Sequence, residues 1–313
     1  MRVLLAAMLA AAGLYAAAPV PNVTQIIQRS VEANDRDWRA APDYNHFEQD
    51  RTAGGTKTYQ VLMILGSPYR KLVAVNGNTL SPAERSEEQH KLDQEIARRR
   101  SESPEQRAAR IANYRRGRQR DHQLMSQLVQ AFNFRPLGRQ RLGQHSVYVL
   151  KATPRPGYIP PNLETRVLTG MQGKLWIDTK TFQWVKVEAE VMHPVWIEGF
   201  LARVDPGTRF ELEYAPVSHN VWLPTRFVMK SRAKILFVIS HSEQADESYF
   251  GYSQAPVAAA SASRNRAAGD LQGSVLLKRR FRLPGNSTRA AESAVINPIQ
   301  WRTEYAENRS WIV

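Results

Sequence analysis

Two pairs of glutamates have the spacing that acid–base chemistry requires. Glu188 and Glu190 are two positions apart, and so are Glu211 and Glu213. In a β-strand, residues two apart point to the same face, so each pair would place two carboxyl groups side by side for proton transfer. The same pattern is typical of the solvated outer face of a sheet, and the sequence favours this second interpretation.

The sequence contains no other pattern that indicates catalysis or metal binding. None of its seven histidines has a partner at the HxH or HExxH spacing of metal ligands. The chain also lacks a GxSxG nucleophile turn, a GxxxxGK(S/T) loop and a GxGxxG loop, and it contains no cysteine. We therefore expect a protein without enzymatic activity, metal or cofactor.

The beginning of the chain indicates export. Arg2 precedes an alanine-rich apolar run over 3–18, which is the layout of a secretory signal peptide. We assign 1–18 to a signal peptide and expect the mature protein in the periplasm or outside the cell. The formal net charge of +14 indicates anionic partners. Export makes nucleic acid an unsuitable partner and leaves an anionic membrane surface as the candidate.

A highly charged helical hairpin is predicted over 81–133, with helices at 82–101 and 104–133. Each helix begins with a serine and a proline, followed by Glu84 or Gln106 at the third helical position, which is the capping-box pattern. Six arginines of the second helix are candidates for contact with an anionic surface: Arg107, Arg110, Arg115, Arg116, Arg118 and Arg120. Two interpretations stay open: an arm whose charge remains in solvent, or a helix that docks on anionic lipid head groups.

Outside this block, the chain up to residue 252 alternates short apolar segments with turn signals, which predicts an antiparallel meander. Segments such as QVLMIL and ILFVIS are apolar on both faces, so the sheet must curl around a core. We expect an α+β, mainly β fold: a strongly curved antiparallel sheet, or incomplete β-barrel, of about eleven strands. An N-terminal helix and the charged hairpin complete the domain over 19–252.

Seven aromatic residues in these strands are candidates for the lining of a lipid cavity: Trp176, Trp184, Trp196, Phe200, Trp222, Phe227 and Phe237. A curled sheet can enclose an apolar cavity or be filled by its own side chains, and the sequence leaves both open. The segment 253–313 is rich in small and basic residues without periodicity, so we expect a disordered tail.

Two short motifs resemble the LolA/LolB-like superfamily, which includes outer-membrane lipoprotein-sorting proteins. The first is Trp176-Ile177-Asp178 with Thr179, a Trp-x-Asp strand that runs into a threonine-containing turn. The second is Trp222-Leu223-Pro224, a WLP step in a later strand. The resemblance covers residues 22–252 and implies an incomplete antiparallel barrel with helices over its mouth. It also implies a carrier of lipoprotein acyl chains, a binder of other lipids or a sensor of the envelope.

Two hypotheses about function follow. The first is an exported, non-catalytic carrier or sensor of the cell envelope, a monomer that holds lipid or lipoprotein acyl chains in an apolar half-barrel. The alternative is an envelope scaffold or regulatory protein that binds a partner through the charged hairpin. A hydrolase that uses the glutamate pairs is the third and weakest hypothesis.

Overall fold

The computed structural model describes residues 21–196, 202–235 and 239–256. The predicted signal peptide and nearly all of the predicted tail lie outside the described residues. The helices are α1 (Val23–Ala40), α2 (Pro82–Arg100) and α3 (Pro104–Ala131), with short 3-10 helices at Ala41–Asp43 and Glu164–Gly170. All three α-helices begin with the complete capping box, including the two predicted from sequence.

Thirteen strands occur in the described part of the chain. The first wing consists of β1 (Tyr44–Thr52), β2 (Gly55–Ile64), β3 (Ser67–Val75) and β4 (Asn78–Thr79). The second wing consists of β5 (Phe132–Leu142), β6 (His145–Pro154), β7 (Met171–Asp178) and β8 (Trp184–Val191). The remaining strands are β9 (Val195–Trp196), β10 (Ala202–Val204), β11 (Arg209–Ser218), β12 (Val221–Ile235) and β13 (Ile239–Gln254).

Eleven of these strands form one antiparallel sheet that does not close. Its order is β4-β3-β2-β1-β13-β12-β11-β8-β7-β6-β5, and the two short strands β9 and β10 attach beside β12. The last long strands of the chain thus lie in the middle and join the two wings. This arrangement confirms the predicted fold class.

The helical hairpin connects the two edges of the sheet. Strand β4 is one edge and β5 is the other, and the chain between them consists of α2 and α3. Helix α3 has 28 residues, which corresponds to about 42 Å at the helical rise per residue. It contacts β3 near one edge and β5 at the other. The charged hairpin therefore also forms the connection between the two wings of the sheet.

Three local predictions differ from the structure. The second helix was predicted to reach residue 133 and no strand was assigned before His145, but α3 ends at Ala131 and Phe132–Leu142 forms the edge strand β5. Pro136 and several arginines interrupt its pattern, and proline and exposed charge are tolerated at an edge. The segment 195–204 was predicted as one strand, but Val195 pairs with Val204, so its ends form two antiparallel strands. The segments 221–230 and 233–241 were predicted as separate strands, but most of this region belongs to the single strand β12.

The main apolar cluster lies on one face of the sheet, which we call the inner face because α1 and α3 pack there. Its buried residues include Ile26 and Ile27 of α1 and Leu175 and Ile177 of β7. The indole of Trp184 is buried in the same cluster, and its Nε1 donates a 2.6 Å hydrogen bond to the Ser30 hydroxyl of α1. This bond fixes α1 to the inner face, and we call these residues the inner apolar cluster.

The base of the hairpin is attached to the turn between β2 and β3. Arg99 is buried, and its guanidinium donates to the backbone carbonyls of Ile64, Ser67 and Pro68 at 2.7–2.9 Å. Its Nε also contacts Glu95 at 2.5 Å. Because backbone carbonyls in a turn lack strand partners, one buried arginine satisfies groups that would otherwise oppose folding.

Replacing Arg99 by Gln tests this attachment, and Arg98→Gln is the matched control. Arg98 pairs with Glu95 and Glu102, but its side chain is largely exposed. We expect R99Q to lower the free energy of unfolding by about 3 kcal/mol, because it leaves buried carbonyls unpaired. R98Q should lower it by at most about 1 kcal/mol. Urea unfolding measures both, and equal losses would contradict the assigned role of Arg99.

Candidate functional site

The aromatic residues predicted to line a cavity lie on both faces of the sheet. Trp184 belongs to the inner apolar cluster. Trp176 and Trp222 pack in a separate cluster with Val147 and Val149, on the outer face, because neighbouring residues of β6 and β7 point inward.

The two other described residues of the predicted set, Phe227 and Trp196, belong to neither cluster. Phe227 pairs with Leu212 across the middle of the sheet and is half-buried. Trp196 is half-buried at the β9–β10 pair, where Arg203 lies over its ring at 5.3 Å. Phe200 and Phe237 lie outside the described residues. Among the tryptophans of the described segments, only Trp184 thus lies within the inner apolar cluster.

Half-buried hydrophobic side chains border the inner apolar cluster. They come from α1, from α3, from the sheet and from the connection between β6 and β7: Val23, Val31, Met125, Leu128, Val129, Phe134, Tyr158, Val167, Val187, Ala189, Val204, Phe210 and Tyr214. A helix that closed tightly over the sheet would bury such residues. Their partial exposure means that the contact between α1, α3 and the strands leaves apolar surface within reach of a ligand.

A buried polar cluster occupies the inner face of the first wing. Directly paired residues share a face, and the pairs lead from Leu175 through Val187, Leu212 and Phe227 to Glu247. The inner face is therefore apolar in the second wing and becomes polar beyond Phe227.

One arginine holds this polar cluster together. Arg70 Nη2 lies 2.8 Å from Glu48 Oε1 and 2.7 Å from Asp50 Oδ2, and the Tyr249 hydroxyl donates to Glu247 at 2.5 Å. Burial raises the pKa of Glu48 well above its usual range; Arg70 opposes the rise, and the charges of Asp50 and Glu247 add to it. One guanidinium faces several carboxyl groups, so burial favours the protonated form of Glu48 while Arg70 favours its ionised form.

Sequence reasoning missed this cluster, although a signal existed. In β1, His46, Glu48 and Asp50 recur at every second position, which places three ionisable groups on one face. Burial lowers the pKa of His46 to about 4, and the Arg70 charge adds to the effect. The imidazole is therefore neutral at physiological pH.

The glutamate pairs lie on the outer face and form ion pairs. Lys186 Nζ is 3.0 Å from both Glu188 and Glu211 and 3.7 Å from Glu213. Glu190 pairs with Arg209 at 3.1 Å. Lys186 lowers the pKa of Glu211 by hydrogen bonding and charge, so this carboxylate stays ionised. The predicted placement on one face is confirmed, and the geometry is that of a charged surface ladder.

The six predicted arginines of α3 have different environments. Arg118 is buried; its guanidinium donates to the Trp38 carbonyl of α1 and lies over the Trp38 ring at 4.6 Å. Arg110 pairs with Glu102 at 2.7 Å and donates to Ser67 Oγ and the Leu65 carbonyl.

The remaining four arginines differ in exposure. Arg107 and Arg115 are half-buried, Arg116 is exposed, and the side chain of Arg120 lies outside the described residues. Two of the six therefore attach α3 to the fold. Docking on an anionic surface stays a prediction for the others.

A cleft of about 590 Å³ lies where the second half of α1 meets the turn between β7 and β8. We call it the α1 cleft. Its lining includes Arg36, Asp37, Lys180, Thr181, Gln183 and Asn220. A neighbouring cleft of about 530 Å³ shares Lys180 and adds Arg139 and Arg141. Sequence reasoning missed both clefts, because they form between segments distant in sequence.

The β7–β8 turn is shaped by the carboxylate of Asp178. Its Oδ1 accepts from the amides of Lys180 and Thr181 at 2.8 and 2.9 Å, and from the Thr181 hydroxyl at 3.1 Å. Oδ2 contacts His145 Nδ1 at 3.3 Å. Asp178 belongs to the Trp-x-Asp motif, so this motif builds the wall of the α1 cleft that carries Lys180.

Asp37 is the most unusual residue of the α1 cleft. Its side chain is buried, and neither carboxylate oxygen has a hydrogen bond of good geometry. Burial raises the pKa of Asp37 to about 6, while the Trp222 amide, the Gln183 side chain and the Arg36 charge oppose the rise. Trp222 begins the WLP motif, so this motif contributes one polar neighbour of the Asp37 carboxylate.

The class of protein follows from this geometry: an open, mainly β sheet with helices over its inner face. Among solved structures, the chain is similar to an outer membrane lipoprotein-sorting protein domain from Vibrio parahaemolyticus (12% identity, TM-score 0.29), with 74% of this chain and 93% of that chain covered. It is also similar to a LolA superfamily protein from Nitrosomonas europaea (14% identity, TM-score 0.28; 75% and 94% covered).

A third similar structure is a DUF1329 family protein from Desulfovibrio piger (9% identity, TM-score 0.29; 74% and 92% covered). No protein-family model matches the sequence, and the search of curated proteins gives no match. The fold assignment rests on the strand order described above.

Within the described residues, no three histidine, aspartate or glutamate side chains are grouped as metal ligands would be. In the same part of the chain, no helix has both the length and the apolar character that a membrane span requires.

Replacing Asp37 by Asn tests whether this carboxylate opposes folding. Its pKa is raised from 3.8 in a free side chain to about 6, so the folded state binds the proton more tightly than the unfolded state. The contribution of Asp37 to the free energy of unfolding therefore increases as the pH falls from about 6 towards 3.8, and it is lost as the pH rises above 6. We expect D37N to raise the free energy of unfolding at pH 8 by at most about 3 kcal/mol, with a smaller gain at pH 4.5.

Urea unfolding at the two pH values measures this effect. Asp35→Asn is the control on the same helix, because Asp35 pairs with Arg39 and lies 3.2 Å from His122. D35N should give no gain at either pH. A D37N protein that is less stable than the parent at pH 8 would show that the carboxylate stabilises the fold.

Proposed function

We propose that this protein is an exported, non-catalytic carrier or sensor of the cell envelope that holds acyl chains of a lipid or lipoprotein on its inner face. The observation that carries the proposal is the border of half-buried hydrophobic side chains between α1, α3 and the strands. Covering exposed apolar surface contributes about 25 cal/mol per Å². An acyl chain lying along this border would gain that energy without a specific polar contact.

The open sheet provides a route for such a ligand. Because β4 and β5 do not pair with each other, the two wings can separate without the loss of strand hydrogen bonds. Side-chain contacts, including the bond between Trp184 and Ser30, hold α1 in place. A modest displacement of α1 would widen the apolar space, as expected for a protein that takes up and releases its ligand.

The resemblance of the two motifs to lipoprotein-sorting proteins and the predicted signal peptide support an envelope location. Trp184 is the proposed contact of an acyl chain at the floor of the apolar space, with Phe210 and Phe227 along its side. Trp176 and Trp222, on the outer face, would support the strands from behind. The protein acts as a monomer in this proposal, since one inner face suffices for one chain.

Neighbouring substitutions on the two faces of β8 test the proposal. Ala189 is half-buried on the inner face, and Glu188 lies next to it on the outer face. Ala189→Trp would fill the apolar border, so we expect at least tenfold weaker binding of a fluorescent fatty acid. Glu188→Trp adds the same side chain outside the site and should bind as the parent does.

Circular dichroism confirms that both variants are folded before binding is compared. Mass spectrometry of the extracted parent protein should also detect lipid that co-purifies. Absence of co-purifying lipid, together with equal fatty-acid binding by both variants, would rule out a carrier that uses the inner face.

The second candidate is a scaffold that binds a partner through α2. Most side chains of this helix are exposed, many of them are charged, and Leu92 and Arg99 are its buried residues. Deletion of 81–133 does not distinguish the scaffold from the carrier, because it would remove Ala131 from the inner apolar cluster and break the connection between the wings. Substitutions on the exposed face leave the fold intact.

Glu87→Lys combined with Asp93→Lys tests the scaffold hypothesis. A scaffold should lose its envelope partner in cross-linking experiments with this variant, while fatty-acid binding stays unchanged. The A189W variant should show the opposite behaviour. A partner that is retained by the double variant would exclude the exposed face of α2 as its binding surface.

A further inference from the structure

The floor of the α1 cleft contains buried hydrogen-bond acceptors that have no hydrogen bond of good geometry. Asp37 and Gln183 are 4% and 3% exposed. Both carboxylate oxygens of Asp37 and the Oε1 of Gln183 lack a hydrogen bond of good geometry, although the Trp222 amide and the Gln183 side chain lower the pKa of Asp37. The Gln183 amide donates to the Asn220 carbonyl at 3.4 Å. Buried acceptors without donors are rare and cost about 1–3 kcal/mol each. A ligand with several N–H donors would remove this cost.

The rim of the same cleft carries the opposite charge. Arg36 and Lys180 are exposed, and neither forms a salt bridge with a carboxylate in the described part of the chain. Arg139 and Arg141 extend the positive surface into the neighbouring cleft on the far side of Lys180. A simple cation would be repelled by this rim, and a simple anion would be repelled by Asp37 below it.

A group that carries an ammonium next to a phosphate fits both the acceptors at the floor of the cleft and the positive charge at its rim. Its three N–H donors match the acceptors of Asp37 and Gln183, and its phosphate oxygens match Arg36 and Lys180. We propose that the α1 cleft binds a phosphoethanolamine group, with the ammonium at Asp37 and Gln183 and the phosphate at the rim. The cleft volume of about 590 Å³ is within the usual range for ligand sites.

The position of the cleft points to a lipid as the source of this group. Gln183 lines the cleft, while its neighbours in sequence, Phe182 and Trp184, are buried in the inner apolar cluster. Helix α1 also contributes to both, through Ile26 and Ile27 at one end and Asp37 at the other. A head group in the cleft would have its acyl chains directed towards the apolar border, and only this assignment of the source rests on the proposed carrier function.

Calorimetry with soluble head groups tests the site without acyl chains. At pH 8, we expect glycerophosphoethanolamine to bind at least tenfold more tightly than glycerophosphocholine. The two have the same net charge, but choline lacks N–H donors. Glycerol phosphate, without the amine, and ethanolamine, without the phosphate, should also bind at least tenfold more weakly. Dihexanoyl phosphatidylethanolamine should bind more tightly than its soluble counterpart if the source is a lipid.

Asp37→Asn should weaken glycerophosphoethanolamine binding at least tenfold, while Asp35→Asn on the same helix leaves it unchanged. Lys180→Gln and Arg36→Gln should each weaken it severalfold. Binding by the parent should also fall as the pH drops below 6, because protonation removes the charge of Asp37; burial raises its pKa to about 6. Far-ultraviolet circular dichroism verifies that each variant is folded.

Equal binding of the ethanolamine and choline compounds, or unchanged binding by D37N, would overturn the inference. Ethanolamine or a lysine-containing peptide that binds as well as glycerophosphoethanolamine would also overturn it, since a protein cation would then be the ligand. The inference would also be overturned if neither the soluble nor the dihexanoyl ethanolamine compound binds. If fatty-acid binding persists in that case, the carrier function stands and only the head-group site is lost.

Discussion

The architecture depends on one constraint: the chain must pass from one free edge of an open sheet to the other. Strand β4 ends at one edge, and β5 begins at the other. A closed barrel would join such strands through hydrogen bonds and a short turn. Here the edges remain apart, so the connection must be long and supported by its own contacts. Helices suit this task because they satisfy their backbone hydrogen bonds internally.

This constraint explains why so basic a segment lies in the middle of a β-rich protein. A long helix across a sheet needs contacts at intervals, and few of its residues are apolar. Arg99 satisfies turn carbonyls at the first edge, Arg110 joins Glu102 to the same turn, and Arg118 attaches α3 to α1 through Trp38. Only the last turns of α3 reach the inner apolar cluster, where Leu128 and Ala131 pack. Arginine contacts together with the buried side chains of Ile111 and Tyr114 hold the first half of α3, and the inner apolar cluster holds its last turns.

The inner face combines surfaces with different chemistry. The second wing presents aliphatic and aromatic residues, and the first wing presents Glu48, Asp50 and Arg70. Buried charges contribute little net stability, because desolvation offsets their attraction. Their effect is to limit where an apolar ligand can lie, since an acyl chain gains nothing beside ionised groups. The border near Phe227 thus sets the extent of the proposed apolar site.

The sequence by itself determined the element types and the general architecture. Its capping boxes set the starts of α2 and α3, and period-two alternation placed Glu211 and Glu213 on the outer face, because both signals arise from neighbouring residues. It did not determine which strands pair, so the central position of β12 and the edge position of β5 were not foreseen. Proline and arginine in β5 oppose a strand locally and are tolerated only because that strand lies at an edge.

The tertiary structure alone decided the candidate sites. Trp176 and Trp184 are equivalent by residue type, yet strand register sends them to opposite faces. Asp37 and Gln183 are 146 positions apart, and only the packing of α1 against the β7–β8 turn brings them to one cleft. Arg118 resembles its basic neighbours in sequence, and helix–helix packing makes it an internal contact. Burial and pairing between distant segments depend on the whole fold, so local sequence patterns do not indicate them.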